Sequence, residues 1–142
     1  MDMKLTIEDA YDVAHHYIEK YYDLTQSDDA GSLLSGMLLV GDHGLVDAAM
    51  WQDWFEALHF IKPDETLDVE HTQLTAEEAY FAMTKFLQIY CDLGVEDSFI
   101  ELVASLKNKT CTLLTWQDWL NSVEEVMSHT PRIRPYLELG PK

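Results

Sequence analysis

Four places in this chain carry side chains able to do chemistry: His15-His16, the turn Gly41-Asp42-His43-Gly44, the acidic run Ser27-Asp28-Asp29, and the thiols Cys91 and Cys111. The histidine pair suggests a metal. Neighbouring residues on a helix project about 100° apart, however, so one ion cannot readily take both, and the His/Glu spacing of a zinc-protease helix is absent. Asp42 beside His43 could orient an imidazole as a general base, yet no serine or cysteine sits in a strained strand-to-helix elbow to be activated. An exposed turn is the ordinary reading of that tetrapeptide. The run "SDDAGS" has the acidity of a calcium loop but lacks its alternating ligands and terminal bidentate Glu. It reads better as a helix start, where Ser and Asp satisfy free amides and the dipole favours negative charge.

The two cysteines lie in apolar surroundings without CxxC spacing, which favours reduced core thiols over a redox pair. No glycine-rich phosphate loop is present. The expectation is therefore a chain that is not an enzyme, with no catalytic residue, no cofactor and no metal site.

Charge says more. The formal net charge is −17 over 142 residues, which disfavours nucleic acid or an anionic membrane as partner and favours a basic protein. Residues 1 to 70 hold sixteen Asp and Glu against three Lys, and no Lys or Arg occurs between Lys20 and Lys62. Asp23, Asp28, Asp29, Asp42, Asp47, Asp53 and Glu56 all fall in that interval, with no local cation to pair with them. The apolar fraction of 47% nevertheless predicts a folded chain, and the length suits one compact domain. No apolar run approaches a membrane span, and the start "MDMKLTIEDAYDV" turns acidic before a signal-type core could form, so a cytoplasmic location is expected.

The elements that would position these groups are repeated. "LTIEDAYDVAHHYIEKYYDL" from Leu5 matches "LTAEEAYFAMTKFLQIYCDL" from Leu74 in constant register, and "WQDW" occurs at Trp51–Trp54 and again at Trp116–Trp119. Leu5/Leu74, Thr6/Thr75, Tyr11/Tyr80, Tyr21/Tyr90, Asp23/Asp92, Leu24/Leu93 and Asp28/Asp97 are identical pairs. The first copy is four residues longer before its WQDW, which places a unique loop near "VGDHGL". The pattern predicts an all-α fold, a compact helical domain of two pseudo-repeated three-helix units. Unit one covers about 5–61, a connector 62–73, unit two about 74–128, and a proline-containing basic tail 129–142 that is expected to fold back over the acidic body.

Within each unit, Thr6 and Thr75 are N-cap candidates with Asp9 and Glu78 three residues on, a full capping box in the second copy and a weaker one in the first. Short second helices are expected over "AGSLLSGMLLV" and "SFIELVASLKN". Third helices are expected to open at WQDW, where Trp51, Trp54, Phe55 and Leu58 form an inward stripe matched by Trp116, Trp119, Leu120 and Val123. Gln52, Asp53, Gln117 and Asp118 remain for the outward face, and Asp118 can close a capping box from Thr115.

The stretch "QSDDAGSLLSGMLLV" followed by "GDHGLVDAAMWQDWFEAL" resembles a pattern of the small acidic immunity proteins of bacterial polymorphic toxin systems, including those of contact-dependent growth inhibition. The shared features are an acidic pair, a glycine turn and a Trp-x-Asp-Trp helix. The second unit lacks the double Asp and the glycine loop. The resemblance implies a protein that binds and blocks a cognate toxin, with a binding face on residues 27 to 56. Together with the charge count it nominates Asp28, Asp29, Asp42, Asp47, Gln52, Asp53 and Glu56. A nuclease is basic where it holds phosphates, so a basic nuclease domain is the expected partner. A secretion chaperone and a nucleic acid mimic are the alternatives, the first needing an exposed apolar groove and the second an elongated row of carboxylates.

Overall fold

The computed structural model describes residues 4–37 and 48–128. Among them lie six helices and one two-stranded ribbon: β1 (Lys4–Thr6), α1 (Ile7–Thr25), α2 (Asp28–Met37), α3 (Ala48–Ile61), β2 (Gln73–Thr75), α4 (Ala76–Cys91), α5 (Asp97–Lys107) and α6 (Trp116–Ser128). The protein is mostly helical. The ribbon was not expected from the sequence. β1 and β2 pair antiparallel with Leu5 opposite Leu74, both fully buried, and each strand hands directly to a threonine that caps the next helix.

Those caps have the predicted chemistry. The Thr6 hydroxyl accepts from the Asp9 amide at 3.0 Å, and Asp9 accepts in return from the Thr6 amide at 3.4 Å. In α4 the return bond, from the Thr75 amide to Glu78 Oε1, is 2.9 Å, because the longer Glu reaches the amide that Asp barely spans. Replacing Thr75 by Ala is expected to cost about 1 kcal/mol and Thr6 by Ala less, measured by chemical denaturation. α6 opens on a third box, with the Asp118 amide 3.1 Å from Thr115 Oγ1 and the Thr115 amide 2.9 Å from Asp118 Oδ2. α3 instead begins three residues before its WQDW, since Ala48, Ala49 and Met50 favour helix and let it run backwards.

Trp54 and Trp119 are fully buried, while Trp51 and Trp116 are half-buried. The Trp54 indole N–H donates to the Ile7 carbonyl at 3.2 Å, and Trp119 donates to the Ala76 carbonyl at 2.9 Å. Each tryptophan thus pins its helix to the first turn of a helix capped by Thr6 or Thr75. The hydroxyl of Tyr11 donates to the Met37 carbonyl, and that of Tyr80 to the Leu106 carbonyl, tying α1 to the end of α2 and α4 to the end of α5.

Trp54 meets Tyr11 and Phe86 edge-on at 5.8 and 5.6 Å, and Trp119 meets Tyr80 and Tyr17 at 5.5 and 5.1 Å. Phe86 belongs to α4 and Tyr17 to α1. Accordingly α3 packs chiefly on α4 and α6 chiefly on α1, so each third helix leans on the first helix of the other half of the chain. Lys62 at the end of α3 reinforces this crossing with its ammonium 2.9 Å from Glu78 of α4. Buried side chains from both halves form one core. No helix among the described residues is long and apolar enough to cross a membrane.

Candidate binding face

The last turns of α1 and α4 converge on one ring. Tyr21 and Tyr90 meet Phe99 of α5 edge-on at 6.3 and 5.9 Å. Three residues beyond each tyrosine, Leu24 and Leu93 stand 62% and 71% exposed, the two most exposed large apolar side chains outside α3 among the described residues. Around them lie Asp23 and Asp92 at the ends of α1 and α4, Asp28 and Asp29 at the start of α2, and Glu96 and Asp97 at the start of α5.

The two corners are stitched together through Asp29. Its carboxylate accepts from the Glu96 amide at 3.0 Å, and its carbonyl accepts from the Tyr90 hydroxyl at 3.3 Å. The Cys91 thiol nearby is pushed up from its ordinary value by burial and then by Asp92 and Asp29, so it stays protonated. The α2 corner is drawn in tightly, for a Cβ on Gly31 would lie 3.0 Å from the Tyr22 ring.

None of the six carboxylates makes an ion pair among the described residues. Sequence explains why: no Lys or Arg occurs from Tyr21 to Ile61 or from Phe86 to Leu106. Asp23 and Asp92 are moreover at the negative ends of their helices, where neither last turn holds a basic residue. Carboxylates at helix C-termini are disfavoured by the dipole, so among the described residues the negative charge of Asp23 and Asp92 is not offset by their own helices.

The nominated residues divide. Asp28 is exposed on this face and Asp29 is half-buried within it, acting as a strut as well as a charge. Gln52, Asp53 and Glu56 lie on α3, with Gln52 and Glu56 exposed and Asp53 half-buried. The start of α3 meets the far end of α2, where a Cβ on Gly36 would lie 2.9 Å from Met50 Cε. The ten residues of α2 therefore separate the two groups by about 15 Å. Asp42 and Asp47, like His43 and the tail from residue 129, lie outside the described residues.

Sequence reasoning did not nominate Asp23, Asp92, Glu96, Asp97, Leu24 or Leu93, which belong to this candidate face. The signal was present, since the repeat register already aligned Asp23 with Asp92, Leu24 with Leu93 and Asp28 with Asp97.

The histidine pair is structural in this arrangement. His16 Nε2 is 3.0 Å from Glu125 Oε2, and Lys20 Nζ is 3.6 Å from Glu125 Oε1, fastening α6 to α1. His15 Nε2 is buried with no hydrogen-bond partner among the described residues. Burial lowers its pKa below the ordinary 6.5, against the opposing pull of Glu19 and the Leu34 backbone. A depressed folded-state value means that the unfolded chain takes the proton first, so stability held above about pH 6.5 is lost as pH falls below it. His15→Gln is expected to flatten that slope relative to the parent in denaturation midpoints followed across pH. An unchanged slope would contradict this role. Among the described residues no group of three or more His, Cys, Asp or Glu is arranged to hold a metal ion.

No protein-family model, no curated protein and no solved structure matches the chain.

Proposed function

We propose that this chain is an immunity protein that binds a basic toxin domain, most simply a nuclease, through the acidic end formed by the α1–α2 and α4–α5 corners. The observation that carries the reading is the set of six carboxylates that form no ion pair among the described residues, gathered with exposed Leu24 and Leu93 at the α1–α2 and α4–α5 corners. Charge of one sign attracts a phosphate-binding surface from a distance, and the leucines supply an apolar centre to exclude water once the surfaces meet. The chain turns over no substrate in this reading. It works by covering the cations that the toxin needs for its own substrate. The corresponding location is the cytoplasm of the protected cell.

We further propose that the two halves are pseudo-equivalent three-helix units related by an approximate twofold. The pairing of Leu5 with Leu74, the matched indole bonds of Trp54 and Trp119, and the matched hydroxyl bonds of Tyr11 and Tyr80 support it. Under that relation the acidic end is built twice over, once from each unit, around a shared centre.

The test is to read the neighbouring genes for a toxin domain and to co-express this chain with the domain so found. Growth rescue, together with inhibition of the purified toxin on mixing, is the expected result. A complex in which the toxin keeps full activity would reject immunity and leave a chaperone in its place.

A further inference from the structure

At the far side of α4 a second feature, independent of the acidic end, points to a small cation. Lys109 directly follows the C-cap of α5 with φ of 56°, in the left-handed region that favours glycine. The Lys109 amide bonds the Leu106 carbonyl and the Thr110 amide bonds the Ser105 carbonyl, the pattern of a helix end that usually carries Gly at this position. A lysine in that place sets its ammonium over three rings, 4.5 Å from the centroid of Trp116, 5.2 Å from Phe81 and 5.7 Å from Tyr80, with Glu77 Oε2 at 3.4 Å. The rings are themselves fixed, for Trp116 meets Tyr80 edge-on at 5.2 Å and Phe81 meets it at 5.9 Å.

Three aromatic rings and one carboxylate gathered around one point make a setting suited to a weakly hydrated cation. A primary ammonium satisfies this setting only in part and turns its other donors toward water, the Lys109 side chain being 35% exposed. It carries three N–H donors, and the long contact to Glu77 is its single hydrogen bond to a side chain or backbone among the described residues. A quaternary ammonium has no donor to satisfy and loses less hydration when it enters between rings.

We infer that Trp116, Tyr80, Phe81 and Glu77 form a binding site for quaternary ammonium groups, with the tethered Lys109 as its resident competitor. An incoming trimethylammonium displaces the lysine into solvent and takes its place against the rings. Because Lys109 competes from within the chain, the unmodified protein binds such ligands weakly, and removing the lysine opens the site.

The probe is choline chloride, titrated against sodium chloride at matched ionic strength and followed by the Trp116 indole resonance, assigned with Trp116→Phe. Lys109→Gly is the principal variant, since glycine suits the backbone at this position, and Lys109→Ala is the second. Both are expected to bind choline about tenfold or more tightly than the parent, and adding Phe81→Ala to either should abolish the response. The inference is overturned if neither lysine variant responds beyond the salt control. It is equally overturned if the response survives Phe81→Ala, which would place the cation elsewhere.

Discussion

Replacing Trp54 or Trp119 by Ala is expected to destabilise the protein by about 3 to 5 kcal/mol, the range for deleting a buried large aromatic. Both side chains are completely buried, and each joins three things at once. The ring of Trp54 fills space between Tyr11 of α1 and Phe86 of α4, and its N–H satisfies the Ile7 carbonyl. Trp119 does the same between Tyr80, Tyr17 and the Ala76 carbonyl. Removing either one empties a cavity at the crossing of the two halves of the chain. In thermal melts the loss should lower the midpoint by roughly 10 °C. Trp51→Ala and Trp116→Ala should cost less, because those rings are only half-buried, and Gln52→Ala on the exposed face should be close to neutral. Melts of Trp54→Ala and Trp119→Ala that coincide with the parent would mean that the indoles do not anchor the third helices.

Much of this scaffold was legible in the sequence because it rests on local chemistry. Thr6, Thr75 and Thr115 each precede an acid three residues later, and all three form boxes. The inward placement of Trp54 and Trp119 followed from helical spacing. The strands were not legible, since Lys4–Thr6 and Gln73–Thr75 bury one leucine apiece and three residues carry no readable period. The partner of each third helix was equally hidden. Leu58 and Val123 face inward whichever half supplies the neighbouring helix, so periodicity gives the face and not what it meets.

The proposed binding face was half legible for a different reason. Counting charge along the chain singled out the first half, and it correctly noticed that Asp28 and Asp29 have no cations nearby in sequence. Folding, however, brings Asp92, Glu96 and Asp97 of the second half beside them through the Asp29–Glu96 and Asp29–Tyr90 bonds, and carries Gln52 and Glu56 away along α2. A one-dimensional count cannot see a corner made of two loops 67 residues apart.

The helix ends supply a way to separate binding from folding. Asp23 and Asp92 stand at helix C-termini, so replacing both with Lys converts an unfavourable dipole contact into a favourable one and should stabilise the fold by about 0.3–1 kcal/mol for each residue. The same pair of changes reverses the charge directly beside Leu24 and Leu93 in the chain. Asp64→Lys with Glu124→Lys makes an equal change of charge at exposed positions off this face, and so controls for net charge. Asp29 is unsuitable for reversal because its carboxylate holds the Glu96 amide.

The most direct measurement is therefore the association rate of the proposed partner, a basic toxin domain, with the parent, with Asp23→Lys/Asp92→Lys, and with Asp64→Lys/Glu124→Lys, each at low and high salt. The predicted result is that Asp23→Lys/Asp92→Lys associates about tenfold or more slowly at low salt while melting no lower than the parent. The gap should narrow as salt screens the field, and the control pair should stay near the parent rate. Equal slowing by both pairs, or association of the parent that does not change with salt, would contradict a binding face at the acidic end.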